Sequence, residues 1–336
     1  MKKIINRNFI FIALGLTLLS VQILPAGSGV AQAAEKVNYR LKWLFNMSVI
    51  GDLYADVNQY FAKEGLEVNV KEGGPERDAI RELELGRAQF GVASADQVIR
   101  AVSKGASIVV IAQLFQVNPL QWMYRTDFMK IESLGDLKGK TLGVTFGGND
   151  EAILRTLLAK AGLTEQDVTL FSVRYDYTPF FKKKVNFWPV YRNTQAVFLG
   201  GKLRQAGEKY DFFIPSDHGV RFVANSVVTS AAMLKKRPDT VRRFTMALLR
   251  GWQASVDSAN SQKAIRTLQQ FDKDSTLETL QEQLQITRGL IHPDPSVAVG
   301  TVDVGAWKQT EQIMLEQKQI PGPVNVDRYL QQIPRY

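Results

Sequence analysis

His218 stands beside Ser216 and Asp217, and His292 beside Pro293 and Asp294; these are the two histidines of the chain. Ser, Asp and His are the residue types of a nucleophile, an orienter and a base. Neighbours in sequence cannot converge on one reacting atom as those roles require, so no catalytic residue is assigned. There is no cysteine, which removes disulfides, zinc ribbons, iron–sulfur clusters and thiol nucleophiles together. Two histidines leave no room for a histidine-rich metal site, and neither metal nor cofactor is expected. Gly147-Gly148-Asn149, ahead of a helical segment, could offer backbone amides to an anion. A turn with a helix cap explains the same residues, and no Walker A or G-x-G-x-x-G run is present.

What remains is binding chemistry. Trp43, Phe115, Trp188 and Tyr191 fall at the ends of predicted strands or just beyond them. Aromatic faces there can stack on a flat heterocycle, while Asn46, Asn118 and Gln195 offer both donor and acceptor atoms. Trp122 and Trp252 are expected in the core, Trp252 on a helix with Val241, Phe244 and Leu248. The run Lys182-Lys183-Lys184 reads as a solvated helix end rather than a nucleic-acid patch.

The elements that must hold these side chains alternate. Strands are predicted at Tyr39 to Leu44, Leu66 to Val70, Phe90 to Ala93 and Ser107 to Leu114, with helices between them stopped at Gly65, Gly86 and Gly105. A second series has strands at Thr141 to Phe146, Thr169 to Val173, Asn186 to Val190 and Tyr210 to Ile214. In it Asp150 and Glu151 sit in the first turn of a helix, where the dipole favours acids. Phe222 to Thr229 reads as a further strand, and the rest is mainly helical, with Pro238 at a helix start. Such alternation predicts an α/β protein of two parallel-sheet lobes. Ligands in such sheets bind beyond the carboxyl ends of the strands, so both lobes can face one cleft. The expected division is 34–125 with 222–336 for lobe 1, and 126–221 for lobe 2.

The 336 residues suit two such units. Residues 1–33 read as a cleavable leader: Lys2, Lys3 and Arg7, an apolar run from Phe9 to Leu24, then Ala31-Gln32-Ala33. The apolar run is shorter than the roughly 20 residues that span a bilayer. Loss of the leader's three basic residues lowers the net charge from +9 to +6, spread along the chain. With no cysteine at the cleavage site, the exported protein is expected in a periplasm without a lipid anchor.

Four segments carry a resemblance: Lys42-Trp43-Leu44-Phe45-Asn46, Tyr60-Phe61-Ala62-Lys63-Glu64-Gly65-Leu66, Phe90-Gly91-Val92-Ala93-Ser94-Ala95-Asp96, and Leu134-Gly135-Asp136-Leu137-Lys138-Gly139-Lys140-Thr141. They resemble the substrate-binding proteins of ABC importers, in the branch related to thiamine-pyrimidine binders that also takes in nitrate, sulfonate and taurine binders. Phe187-Trp188-Pro189-Val190-Tyr191 and Phe115-Gln116-Val117-Asn118-Pro119-Leu120 resemble the pyrimidine-binding branch in particular, and the resemblance spans most of residues 36–260. It implies a two-lobed, type II periplasmic binding protein that closes about a hinge and hands its ligand to an inner-membrane permease with its ATPase. A monomer that binds no nucleic acid is expected. The ligand set implied is Trp43, Asn46, Asp96, Phe115, Asn118, Asn149, Trp188, Tyr191 and Gln195.

The chain departs from that branch at two places. Val49 and Ile50 stand where pyrimidine binders carry polar residues, often a histidine, and Gln195 stands near the place of a Glu that holds the aminopyrimidine edge. An amide cannot supply a carboxylate's charge-assisted bonds. Nitrate, an alkanesulfonate or taurine, held through Arg125, Arg174 or Arg192, is one alternative, and riboflavin is another. Pyrimidine-synthesising enzymes of the same fold use histidines and a cysteine-rich motif that this chain lacks.

Overall fold

The structure, a computed structural model, describes residues 33–74, 76–174 and 176–334. All of the leader except Ala33 therefore lies outside the described residues. Among the described residues no helix is long and apolar enough to cross a membrane.

Among the described residues ten strands form three sheets, of five, three and two strands. They are β1 (Glu35–Arg40), β2 (Leu66–Lys71), β3 (Phe90–Ala93), β4 (Ile108–Gln113), β5 (Leu120–Arg125), β6 (Thr141–Val144), β7 (Thr169–Ser172), β8 (Trp188–Tyr191), β9 (Tyr210–Phe213) and β10 (Ser226–Ser230). In the first sheet β1 pairs in parallel with β2 and β3, and β10 runs antiparallel between β3 and β4. Its order is β2-β1-β3-β10-β4. In the second lobe β6 pairs in parallel with β7 and meets the approach to β8 through a parallel bridge, Leu142 to Phe187. There β5 runs antiparallel between β8 and β9, so the strands read β7-β6-β8-β5-β9. Each lobe thus repeats one plan of four parallel strands and one antiparallel strand.

The antiparallel strand is the one that arrives from the other lobe, β5 after β4 and β10 after β9. Sequence alternation predicts parallel strands throughout, and these two are the exception for a geometric reason. A segment crossing from the opposite lobe enters at the cleft, where the parallel strands end, and must run back against them. Ser226 accordingly pairs with Ala93 and Gln113, the last residues of β3 and β4, and Leu120 with Tyr191, the last of β8. Residues 120–125 therefore belong to the second sheet, although the sequence division left them in the first lobe.

The predicted helix Asp52 to Lys63 is two helices, Ile50–Val57 and Tyr60–Lys63, because Gln59 adopts a left-handed φ of 62° between them. Its buried face packs on the long helix Pro238–Val256 with Trp252 and Phe244, which join one apolar core. A second core runs unbroken from Val98, Ile108 and Trp307 of the first lobe to Trp122, Leu142 and Phe187 of the second. Trp122, buried as expected, donates its ring N–H to the Gly143 carbonyl at 3.0 Å.

Candidate functional site

Between the lobes lies a cavity of about 220 Å³. Its wall is built at the carboxyl ends of parallel strands: Lys42 and Trp43 follow β1, Gly74 follows β2, Thr145 to Asp150 follow β6, and Val173 and Arg174 follow β7. The starts of the two crossover strands complete it, with Leu120 and Asn225. The predicted strand Tyr39 to Leu44 ends early for this reason. The Leu41 amide makes the last ladder bond, to the Lys71 carbonyl, and the Trp43 carbonyl then accepts from the Gly73 amide at 2.9 Å. A Cβ on Gly73 would stand 2.0 Å from the Leu41 carbonyl oxygen, so only glycine lets the two backbones meet here.

Lys42 bridges the cleft. Its Nζ donates to Asn149 Oδ1 at 3.2 Å and to the Tyr191 hydroxyl at 3.0 Å, and lies 5.6 Å from the centre of the Tyr191 ring. Deeper contacts join the lobes as well: Ser48 Oγ donates to Asn193 Oδ1 at 3.3 Å, and Asn193 Nδ2 donates to Thr287 Oγ1 at 2.9 Å. Asn193 is fully buried between them.

The amides of the cleft share a pattern. Asn46 Oδ1 accepts from the Ser48 amide at 2.8 Å, Asn149 Oδ1 from Lys42, and Gln195 Oε1 from the Tyr191 amide at 3.0 Å and the Thr194 hydroxyl at 2.6 Å. Asn149 Nδ2 is buried without a hydrogen-bond partner, and so is Asn225 Oδ1.

Asp150 is buried in the same wall and accepts from the Thr145 amide at 2.5 Å. Burial pushes its carboxyl up to about 6, against the pull of that amide and of the Lys42 charge. Glu151 accepts from the Gly147 amide at 2.6 Å. Of the loop amides that could cradle an anion, that of Gly147 is thus held by the Glu151 carboxylate and that of Gly148 by the Thr145 carbonyl at 2.8 Å. Gly148 is the N-cap, and Asn149 opens the helix Asn149–Lys160.

Residues 46–260 match the family described as NMT1/THI5 like. The chain belongs to that family. It is 25% identical to the riboflavin-binding protein RibY of Chloroflexus aurantiacus over 305 residues, 88% of this chain and 84% of that protein. It is 24% identical over 287 residues to the formylaminopyrimidine-binding protein of Halalkalibacterium halodurans, 83% of this chain and 84% of that protein. The fold is that of periplasmic binding proteins. The aliphatic sulphonate-binding protein SsuA of Escherichia coli superposes with a TM-score of 0.70 at 15% identity, covering 90% of this chain and 94% of SsuA. The fold also carries an enzyme, the desulfurization enzyme DSZB, with a TM-score of 0.59 at 13% identity over 89% of this chain and 96% of that one.

Of the nine candidate ligand residues, the cleft brings together Trp43, Asn46, Asn149, Trp188, Tyr191 and Gln195. Three stand elsewhere. Phe115 is buried in the first lobe's core with its ring edge toward Trp252, at 6.3 Å. Asn118 ties the two crossovers together, donating to the Phe222 carbonyl at 2.8 Å and accepting from the Leu120 amide at 2.9 Å. Asp96 is wholly buried at the start of the helix Ala95–Ser103, 3.9 Å from Arg100.

Trp188 needs a correction of role. It lines the cavity but is 1% exposed, and it packs with Phe180 and Tyr177 in the second lobe's own core. Of the arginines considered for an anion, Arg125 is buried against Glu208 and over the Phe180 ring, and Arg192 is not part of the wall. Arg174 alone of the three lines the cleft, at an exposed position. His218 stacks on Phe213 at 4.7 Å, away from the cavity.

Sequence reasoning missed Lys42, Asp150, Phe146, Tyr177 and Asn225, all in the wall. The strand-end rule that selected Trp43 applies equally to Lys42 and Phe146. Asn225 gave no signal, because its place depends on where β10 inserts.

Proposed function

We propose that this protein is the solute-capturing component of an ABC importer, working in the periplasm, and that its cleft takes a small, flat, uncharged heterocycle. The observation that carries this reading is the occupied anion site. Asp150 and Glu151 hold the loop amides of Thr145 and Gly147, and Asp150 is buried in the cavity wall. A nitrate or sulfonate entering at this loop would meet the Asp150 carboxylate in place of those two N–H groups, in a wall whose cations are Lys42, Arg77 and Arg174. Aromatic groups at Trp43, Tyr191 and Phe146, with amides between them, suit a neutral ring. Relatives that bind riboflavin and a formylaminopyrimidine support the same ligand class.

Binding without chemistry is the expected outcome. The two histidines lie outside the cavity wall, and no cysteine is available as a nucleophile. Capture would proceed by closure of the lobes about the crossovers at 114–119 and 214–225, with the closed form offered to the permease. Equilibrium dialysis against riboflavin and against a formylaminopyrimidine, followed by mass spectrometry, tests this. One equivalent of one of them should be retained and recovered unchanged. Steady conversion of the compound, or retention of neither, would refute the proposal.

A further inference from the structure

The cleft amides are not free to present either end. Asn46, Asn149 and Gln195 each have their carbonyl oxygen committed inside the protein, to the Ser48 amide, the Lys42 ammonium and the Tyr191 amide respectively. Each of those partners is a donor only, so none of the three side chains can flip without placing N–H against N–H. What each has left is its NH2 group. Asn149 shows the consequence most sharply, because its Nδ2 is buried with no acceptor. On the other lobe Asn225 Oδ1 is buried with no donor, while its main-chain carbonyl is already taken by the Leu114 and Phe115 amides.

We infer that the cleft reads a cyclic amide or imide edge: several acceptor atoms, met by the fixed NH2 groups of Asn46, Asn149 and Gln195, together with one N–H, met by Asn225. This rests on the heterocycle reading above and sharpens it. A ring system carrying carbonyl oxygens and an imide N–H, such as the pyrimidinedione of a flavin, satisfies the set. A ring whose polar edge is mainly amino groups turns donors toward donors. Lys42 acts as a positioning residue, since it sets the direction in which Asn149 points.

Two isosteric variants remove the donors. Asn149→Asp keeps the acceptor for Lys42, and Gln195→Glu keeps the acceptor for the Tyr191 amide; each replaces the NH2 group by an acceptor oxygen carrying negative charge. With riboflavin as probe, each should weaken binding about tenfold or more, because a site built to hydrogen-bond rejects what leaves its partners unpaired. The melting temperature of the ligand-free protein should hold or rise, which a merely structural role would not give. Riboflavin methylated at its imide nitrogen should bind more weakly to the wild-type protein, and Asn225→Leu should abolish that difference. Wild-type affinity in both donor variants would overturn the inference. So would tight binding of the formylaminopyrimidine with none of riboflavin, an outcome that leaves the heterocycle reading standing. If neither compound binds the wild-type protein, both fall.

Discussion

Trp188 and Tyr191 lie three apart on one strand, and the two-residue period of a strand turns them to opposite faces. That alone prevents both from stacking on the same ring face, and it was readable from the spacing. Trp188 and Val190 line the cavity and are also packed into the second lobe's own core, while Tyr191 meets Lys42 across the cleft. Trp188→Ala is therefore expected to cost about 3–5 kcal/mol of stability, as truncation of a buried Trp does. Trp43 is half-buried in the wall. Trp43→Ala should leave the melting temperature nearly unchanged and cost about 1–2 kcal/mol of binding. Comparing thermal melts with ligand affinities on both variants checks this; a stable Trp188→Ala protein would return that residue to the ligand.

Asp52 gives a pH test that is independent of ligand. It is buried on the helix Ile50–Val57 and accepts from the Tyr39 hydroxyl at 2.5 Å. Burial raises its carboxyl from the ordinary 3.8 to about 7, with the Tyr39 bond pulling the other way. The folded protein then holds this proton more tightly than the unfolded chain. Stability from this group is full below about 4 and is lost as pH rises through 7. Asp52→Asn should therefore gain melting temperature relative to wild type at pH 8 but not at pH 4. A parallel pH profile for the two proteins would contradict that.

At the scale of elements, the crossovers carry the most unexpected result. Asn118 looked like a ligand residue because its amide offers both donor and acceptor atoms and its segment resembles the pyrimidine-binding branch. Its two polar ends instead clamp the 114–119 crossover to Phe222 of the returning one. Asn118→Ala leaves the Phe222 carbonyl and the Leu120 amide without partners and should cost about 1–3 kcal/mol. The denaturant midpoint should fall with the slope unchanged. The helices were legible because their caps and stops are local: Pro238 starts the long helix, and glycines at positive φ end several others. Strand ends were less so. What terminates β1 is Gly73, more than thirty positions away, approaching the Leu41 backbone. Gly73→Ala should shift the Lys42–Trp43 segment and weaken ligand binding, read by titration.

For the whole molecule, alternation of strands and helices was enough to give two lobes and a cleft at their strand ends. It could not give the insertion of β5 and β10, because those pairings join residues far apart in sequence and reverse direction. Asn225 and the Asn193 bridge were hidden for that reason. The family likeness named the class of site, and the polarity of the cleft follows from side-chain partners that only the folded chain brings together. The central claim is that the cleft takes a neutral ring and refuses an anion. Ligands that bind the folded state raise its melting temperature in proportion to RT ln(1 + [L]/Kd). The direct measurement is the melting temperature at pH 7.5 with riboflavin, with a formylaminopyrimidine and with an alkanesulfonate, each at matched concentration. A rise with a heterocycle and none with the sulfonate is predicted; a rise with the sulfonate, alone or beside a heterocycle, would contradict the account.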